Sequence, residues 1–116
     1  MNRILMLMIM IFICSCGSSG VDVDQVAYYR DQGPNRVFTY QVNAEASYDE
    51  IKAHCEKQMH TKGQLTQVFY YKRAAPDVTL AVDYVSAAND AYDAKPYIRC
   101  LCNSVDEWSI EKYKYE

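Results

Sequence analysis

Polar and apolar residues alternate over 36–43, with Phe38, Tyr40 and Val42 on one side and Val37, Thr39 and Gln41 on the other. A period of two, carried by β-branched and aromatic side chains, predicts a strand. The period then changes. Tyr48, Ile51, Cys55 and Met59 recur at helical spacing behind Ser47-Tyr48-Asp49-Glu50, which has the form of a capping box. Asp49 and Glu50 fall where a helix dipole favours anions, and His60, Lys62 and Gly63 mark the other end. A helix is therefore predicted over 48–61. A second strand is predicted over 64–72. Val68, Phe69, Tyr70 and Tyr71 make it apolar on both sides, as in a central strand.

After a loop to Pro76, Asp77 can cap a second helix running to about residue 93. Its apolar stripe is Leu80, Ala81, Tyr84, Val85, Ala88 and Tyr92. Ala87, Ala88 and Ala91 are small enough to let it approach a sheet closely, and Pro96 stops it. Alternation returns over 97–103, with Ile98, Cys100 and Cys102 toward the core and Tyr97, Arg99 and Leu101 away from it. A turn at 103–106 leads to a last strand over 107–115. Trp108 and Ile110 there can face the core, and Lys112, Lys114 and Glu116 suit an exposed edge.

The predicted order is β-α-β-α-β-β. Two strand–helix–strand connections imply largely parallel neighbours, and the final pair reads as an antiparallel hairpin. The expected fold is a two-layer α/β sandwich over 36–116: a four-stranded mixed sheet with two helices on one face.

Composition narrows the class. The chain has 116 residues, half of them apolar and 23% charged, which suits one small domain and excludes a disordered tail. Twelve Lys and Arg against 15 Asp and Glu give a formal net charge of −3. No basic field is present to hold a nucleic-acid backbone.

The N-terminus is a separate signal. Met1-Asn2-Arg3 precedes an unbroken apolar run of eleven residues, Ile4 to Cys14. A spanning helix needs about 20 such residues, so this run has the size of a signal-peptide core. Ile13, Cys14 and Ser15 then precede Cys16. An aliphatic residue at −3, a small one at −1 and then Cys resembles the lipobox of bacterial lipoproteins. Cys14 at −2 departs from it, since Ala, Ser or Thr is more usual there. The resemblance implies a signal peptide over 1–15, cleavage before Cys16, diacylglycerol on its thiol and an acylated (commonly palmitoylated) new N-terminus. Gly17 after the lipidated Cys, in place of Asp, points to the outer membrane. Residues 16–35 read as a flexible tether opened by Gly-Ser-Ser-Gly. Val21, Val23, Val26, Tyr28 and Tyr29 within it could add a short strand or pack on the domain.

Candidate chemistry is sparse. Of five cysteines, Cys55, Cys100 and Cys102 remain in the domain. A disulfide from Cys55 to Cys100 or Cys102 would staple helix to sheet, against a background of buried thiols acting as small hydrophobes. Cys-Leu-Cys lacks the spacing that activates a thiol at a helix N-terminus. His54 and His60 stand about 600° apart on a helix, so no standard zinc spacing appears, and exposed histidines are expected. No cofactor is implied and no catalytic residue is assigned. Eleven tyrosines exceed what so small a core holds. Tyr70, Tyr97, Tyr113 and Tyr115 are the candidate binding surface, since each offers a rigid apolar body with a polar tip.

The expected function is that of a lipid-anchored envelope lipoprotein, not an enzyme, binding a protein or envelope component through its sheet edge or tyrosines. Its partners are then the membrane and an envelope component, with no nucleic acid. Two other readings stand beside it: a thiol-dependent envelope enzyme or redox factor using Cys100 or Cys102, and an inhibitor or immunity-type protein.

Overall fold

The structure is a computed structural model and describes residues 21–113. Seven elements follow one another. They are β1 (Val23–Arg30), β2 (Arg36–Val42), α1 (Tyr48–Glu56), β3 (Thr66–Tyr71), α2 (Tyr84–Asp93), β4 (Ile98–Cys102) and β5 (Trp108–Lys112). The strands form one mixed sheet in sequence order. Only β2 and β3 are parallel; the β1–β2, β3–β4 and β4–β5 pairs are antiparallel.

This departs from the expected four-stranded β-α-β-α-β-β fold in three ways. The first is an additional strand. Residues 23–30, expected within the tether, form edge strand β1 and pair with β2 from Val23↔Val42 to Arg30↔Arg36. The segment lacks clean alternation because the register shifts between Gln25 and Ala27. A bulge of this kind inserts a residue and exchanges the sides of everything after it.

The second difference is the layering. Ile51 and Cys55 of α1 pack with Phe38, Tyr40, Val68, Tyr70, Ile98 and Cys100. Ala87 and Ala91 of α2 pack with Val37, Phe69 and Tyr71. These strand residues have opposite parity, so the two helices cover opposite faces, and the domain has three layers. The consecutive buried run from Val68 to Tyr71 is explained by this double cover.

The third is the direction of β4. The predicted helix over 77–93 is only Tyr84–Asp93. Residues 73–83 instead run back along the sheet. The Thr39 hydroxyl donates to the Pro76 carbonyl in mid-sheet, and Gln67 Nε2 donates to the Tyr84 hydroxyl at the start of β3. Helix α2 then climbs back, and the Tyr71 hydroxyl donates to the Ala91 carbonyl at the end of β3. Because the return segment has already reversed the chain, the helix delivers β4 antiparallel to β3.

Local signals set the helix ends. The Ser47–Glu50 capping box is formed on both sides, with Glu50 N–H donating to Ser47 Oγ at 3.2 Å and Ser47 N–H to Glu50 Oε1 at 2.9 Å. Helix α1 ends earlier than expected, at Glu56, leaving Met59 exposed. Asp83, not Asp77, caps α2, accepting from Ser86 N–H at 2.7 Å. Small residues bring α2 close, with Ala87 and Ala91 fully buried. The rings of Tyr40 and Tyr70 lie under α1 instead.

Candidate functional site

The β1 bulge determines what faces α2. Gln25 lies on the α1 side, where it accepts from the Tyr40 hydroxyl at 3.1 Å. After the bulge, Ala27 and Tyr29 lie on the α2 side and Tyr28 on the α1 side. Tyr29 thereby forms one wall of a cleft of about 650 Å³ whose other wall is Tyr84. Arg30, Asp31, Val82 and Asp83 also line it.

One lining residue, Asp31, is tied into the turn that follows β1. Asp31 accepts from the N–H of Gly33 at 2.8 Å, from the N–H of Asn35 and from Asn35 Nδ2 at 2.9 Å. The Asn35 side chain contributes most to holding the Asp31 carboxyl below its ordinary range. Asp83 is lowered in the same way, first by the Ser86 N–H. Both carboxylates are thus ionised at neutral pH. Burial pushes the Tyr84 phenol up, so it stays neutral. A Cβ at Gly33 would lie 2.9 Å from Asp31 Oδ1, so a side chain there would push that carboxylate aside.

The segment that supplies Val82, Asp83 and Tyr84 to the cleft also carries exposed apolar side chains. Leu80 is 94% exposed, Val82 87% and Val85 63%. Leu80 and Val85 were expected in the buried stripe of a longer helix. The later start of α2 turns its Ala87–Ala91 side inward and leaves them in water. Single exposed apolar residues are ordinary; here three fall within one short segment, of which Val82 lines the cleft.

Of the tyrosines expected to form a binding surface, Tyr97 and Tyr113 are neighbours at the end of the β4–β5 ladder, where the Tyr113 N–H donates to the Tyr97 carbonyl at 3.0 Å. Tyr70 is fully buried beneath α1 and cannot serve. Its hydroxyl bonds to His54 instead. Tyr97 is half-buried, carries the Lys72 ammonium 4.9 Å above its ring and lines a second hollow of about 350 Å³ with Val42 and Glu45. Tyr113 is half-buried and meets Tyr92 edge-on. Tyr115 and the lipidation candidate Cys16 lie outside the described residues. Cys55, Cys100 and Cys102 are buried, free thiols, with no bridge formed.

The histidines are not exposed helix-surface residues. His54 Nδ1 lies 2.6 Å from the Tyr70 hydroxyl, and burial, more than nearby Lys57, lowers its pKa. His60 Nδ1 lies 2.7 Å from Thr66 Oγ1 and its Nε2 2.9 Å from Asp106 Oδ1. A hydroxyl, an imidazole and a carboxylate in a row have the form of a nucleophile–base–orienter triad. Thr66 is 0% exposed, so no substrate reaches its hydroxyl. The row instead ties the loop after α1 to the β4–β5 turn. No three of His, Cys, Asp and Glu converge as a metal site among the described residues. No helix among them is long and apolar enough to cross a membrane.

Sequence reasoning missed Tyr29, Val82, Asp83 and Tyr84 as one site. Their convergence depends on the bulge and on the return of 73–83, and neither has a periodic signature. Comparison with known proteins finds no matching family model, curated protein or solved structure.

Proposed function

We propose that this chain is a lipid-anchored lipoprotein of a bacterial envelope, held at the outer membrane through Cys16, that binds another envelope protein. The surface assigned to that role is the Tyr29–Tyr84 cleft with Leu80, Val82 and Val85. The observation that carries this reading is the exposure of those three apolar residues on the segment that lines an open cleft with rigid aromatic walls.

Tether geometry supports it. The Asp22 carbonyl already accepts from Asn43 N–H at 2.9 Å, at the end of the sheet where β1 begins. From Cys16 to Asp22 the chain spans at most about 20 Å. The domain then stays close to the bilayer. The cleft lies at the far end of β1, roughly 25 Å further on at the usual rise per strand residue. Both sheet edges are poor docking templates: β1 carries the bulge, and β5 is short with Glu111 and Lys112 upon it. The thiol-enzyme reading has less support, because burial raises the Cys102 thiol, and contact with Cys55 together with burial raises that of Cys100. A reactive thiol needs the opposite shift.

The test has two parts. The intact mass of membrane-extracted protein should equal residues 16–116 plus acyl chains; an unmodified soluble product removes the anchor. Photo-crosslinkers placed at Val82 and Val85 should capture one protein in stoichiometric amount, and one placed at Asp24 should not. Equal capture from Asp24, or none from either valine, rejects this surface. A single tight partner that is itself an enzyme or toxin would turn the role into that of an inhibitor.

A further inference from the structure

Three buried thiols share one side of the sheet, and the strand register decides which of them face each other. His54 of α1 meets Tyr70, and Tyr70 pairs with Ile98. Beyond the helix, His60 meets Thr66, and Thr66 pairs with Cys102. Between these two levels lies Val68, whose partner across the ladder is Cys100. Cys55 follows His54 directly and is buried in one cluster with Val68 and Cys100. Cys102 belongs to the next level, paired with Trp108 and outside that cluster. The Cys55 thiol donates to the Lys52 carbonyl at 3.3 Å and also lies against the thiol of Cys100.

We propose that Cys55 and Cys100 become a disulfide joining α1 to β4 as the chain matures, leaving Cys102 a thiol. This rests on the envelope reading for its oxidant, a protein or small-molecule disulfide of an oxidising compartment. One thiol loses its proton and attacks a sulfur of that disulfide, releasing one oxidant thiolate. The second thiol, deprotonated, then attacks the mixed disulfide and releases the other. Two protein thiols are oxidised, one oxidant disulfide is reduced to two thiols, and two protons are transferred. Because both side chains are fully buried in the folded domain, the exchange takes place before α1 packs down or during its opening. The bridge closes a long loop, and restricting the unfolded chain in this way raises the unfolding midpoint, on the order of 10 °C or more.

The test uses full-length protein extracted from membranes. Thiols are alkylated in denaturant without reduction, the chain is digested, and the peptides are weighed. The expected result is one linked Cys55–Cys100 pair, two hydrogens lighter than the separate peptides, with Cys102 alkylated. The Cys102→Ser variant should keep that pair. A Cys55–Cys102 pair, or alkylation of all three thiols in protein whose Cys16 is acylated, overturns the bridge while leaving the anchor intact. If the protein proves not to be exported, the purified chain is refolded in mixed oxidised and reduced glutathione. Formation of the same pair there supports the bridge without the envelope reading, and its failure rejects the bridge.

Discussion

The Tyr70 hydroxyl lies 2.6 Å from His54 Nδ1, joining the most buried tyrosine of β3 to the inward edge of α1. Both rings also pack against Tyr40, with centroids 5.6 Å from Tyr70 and 4.7 Å from His54. In the tautomer with Nδ1 unprotonated the imidazole accepts a hydrogen bond from the phenol, and burial favours the neutral ring. Replacing Tyr70 with Phe preserves the packing but leaves Nδ1 with no donor from β3. The expected loss is about 1–3 kcal/mol, read as a lower urea midpoint at unchanged slope. A midpoint equal to that of the parent would mean that the bond contributes nothing.

The same histidine makes stability depend on pH. Its folded pKa is below the ordinary value of 6.5, so the native state binds that proton less readily than the unfolded chain. The contribution is fully present above about pH 6.5 and is lost as pH falls through the folded value. The lowered carboxyls of Asp31, Asp83 and Asp106 act later, below their ordinary 3.8. Urea midpoints should therefore already decline between about pH 6.5 and 4. The His54→Gln variant should flatten that decline, and an unchanged slope would assign it to other groups.

Small residues determine how α2 sits. Ala87 and Ala91 are fully buried against the face carrying Val37, Phe69 and Tyr71. Ala87→Leu inserts a side chain where none fits and should cost about 1–3 kcal/mol in thermal or urea unfolding. An unchanged midpoint would place position 87 away from the sheet.

Asp106 links two loops that are distant in sequence. Its Oδ1 accepts from Gly63 N–H at 2.9 Å and meets His60 Nε2 at the same distance. Asp106 also has φ +65°, which Asn tolerates and Ala does not favour. Asp106→Ala should therefore destabilise by about 1–3 kcal/mol, and Asp106→Asn by less, since it keeps an acceptor. Hydrogen exchange at Gly63 would locate the loss: the amide should exchange faster in the alanine variant.

Val82 and Val85 offer the opposite expectation. Both are largely in water, so changing each to Ser should move stability by less than about 0.5 kcal/mol. The same pair of changes should abolish the stoichiometric complex proposed for the cleft. A variant that unfolds early, or one that keeps its partner, would contradict this assignment.

What the sequence determined by itself was local. The capping box at Ser47 and Glu50, the alternation of Phe38 and Tyr40 against Val37 and Thr39, and the β4–β5 hairpin follow from short-range bonding and periodicity. They lie where they were expected. The small residues Ala87 and Ala91 were legible as a close-packing surface for the same reason. The tertiary structure decided the rest. A single extra residue near Val26 hides the alternation of β1 and exchanges its sides, which places Tyr29 toward α2. The side of the sheet that α2 covers depends on where residues 73–83 pass, and Thr39, Gln67 and Tyr71 fix that path through partners 17 to 37 positions away. Long-range hydrogen bonds of this kind leave no period in the chain. That is why Leu80 and Val85 looked like core in the sequence and stand in water in the fold.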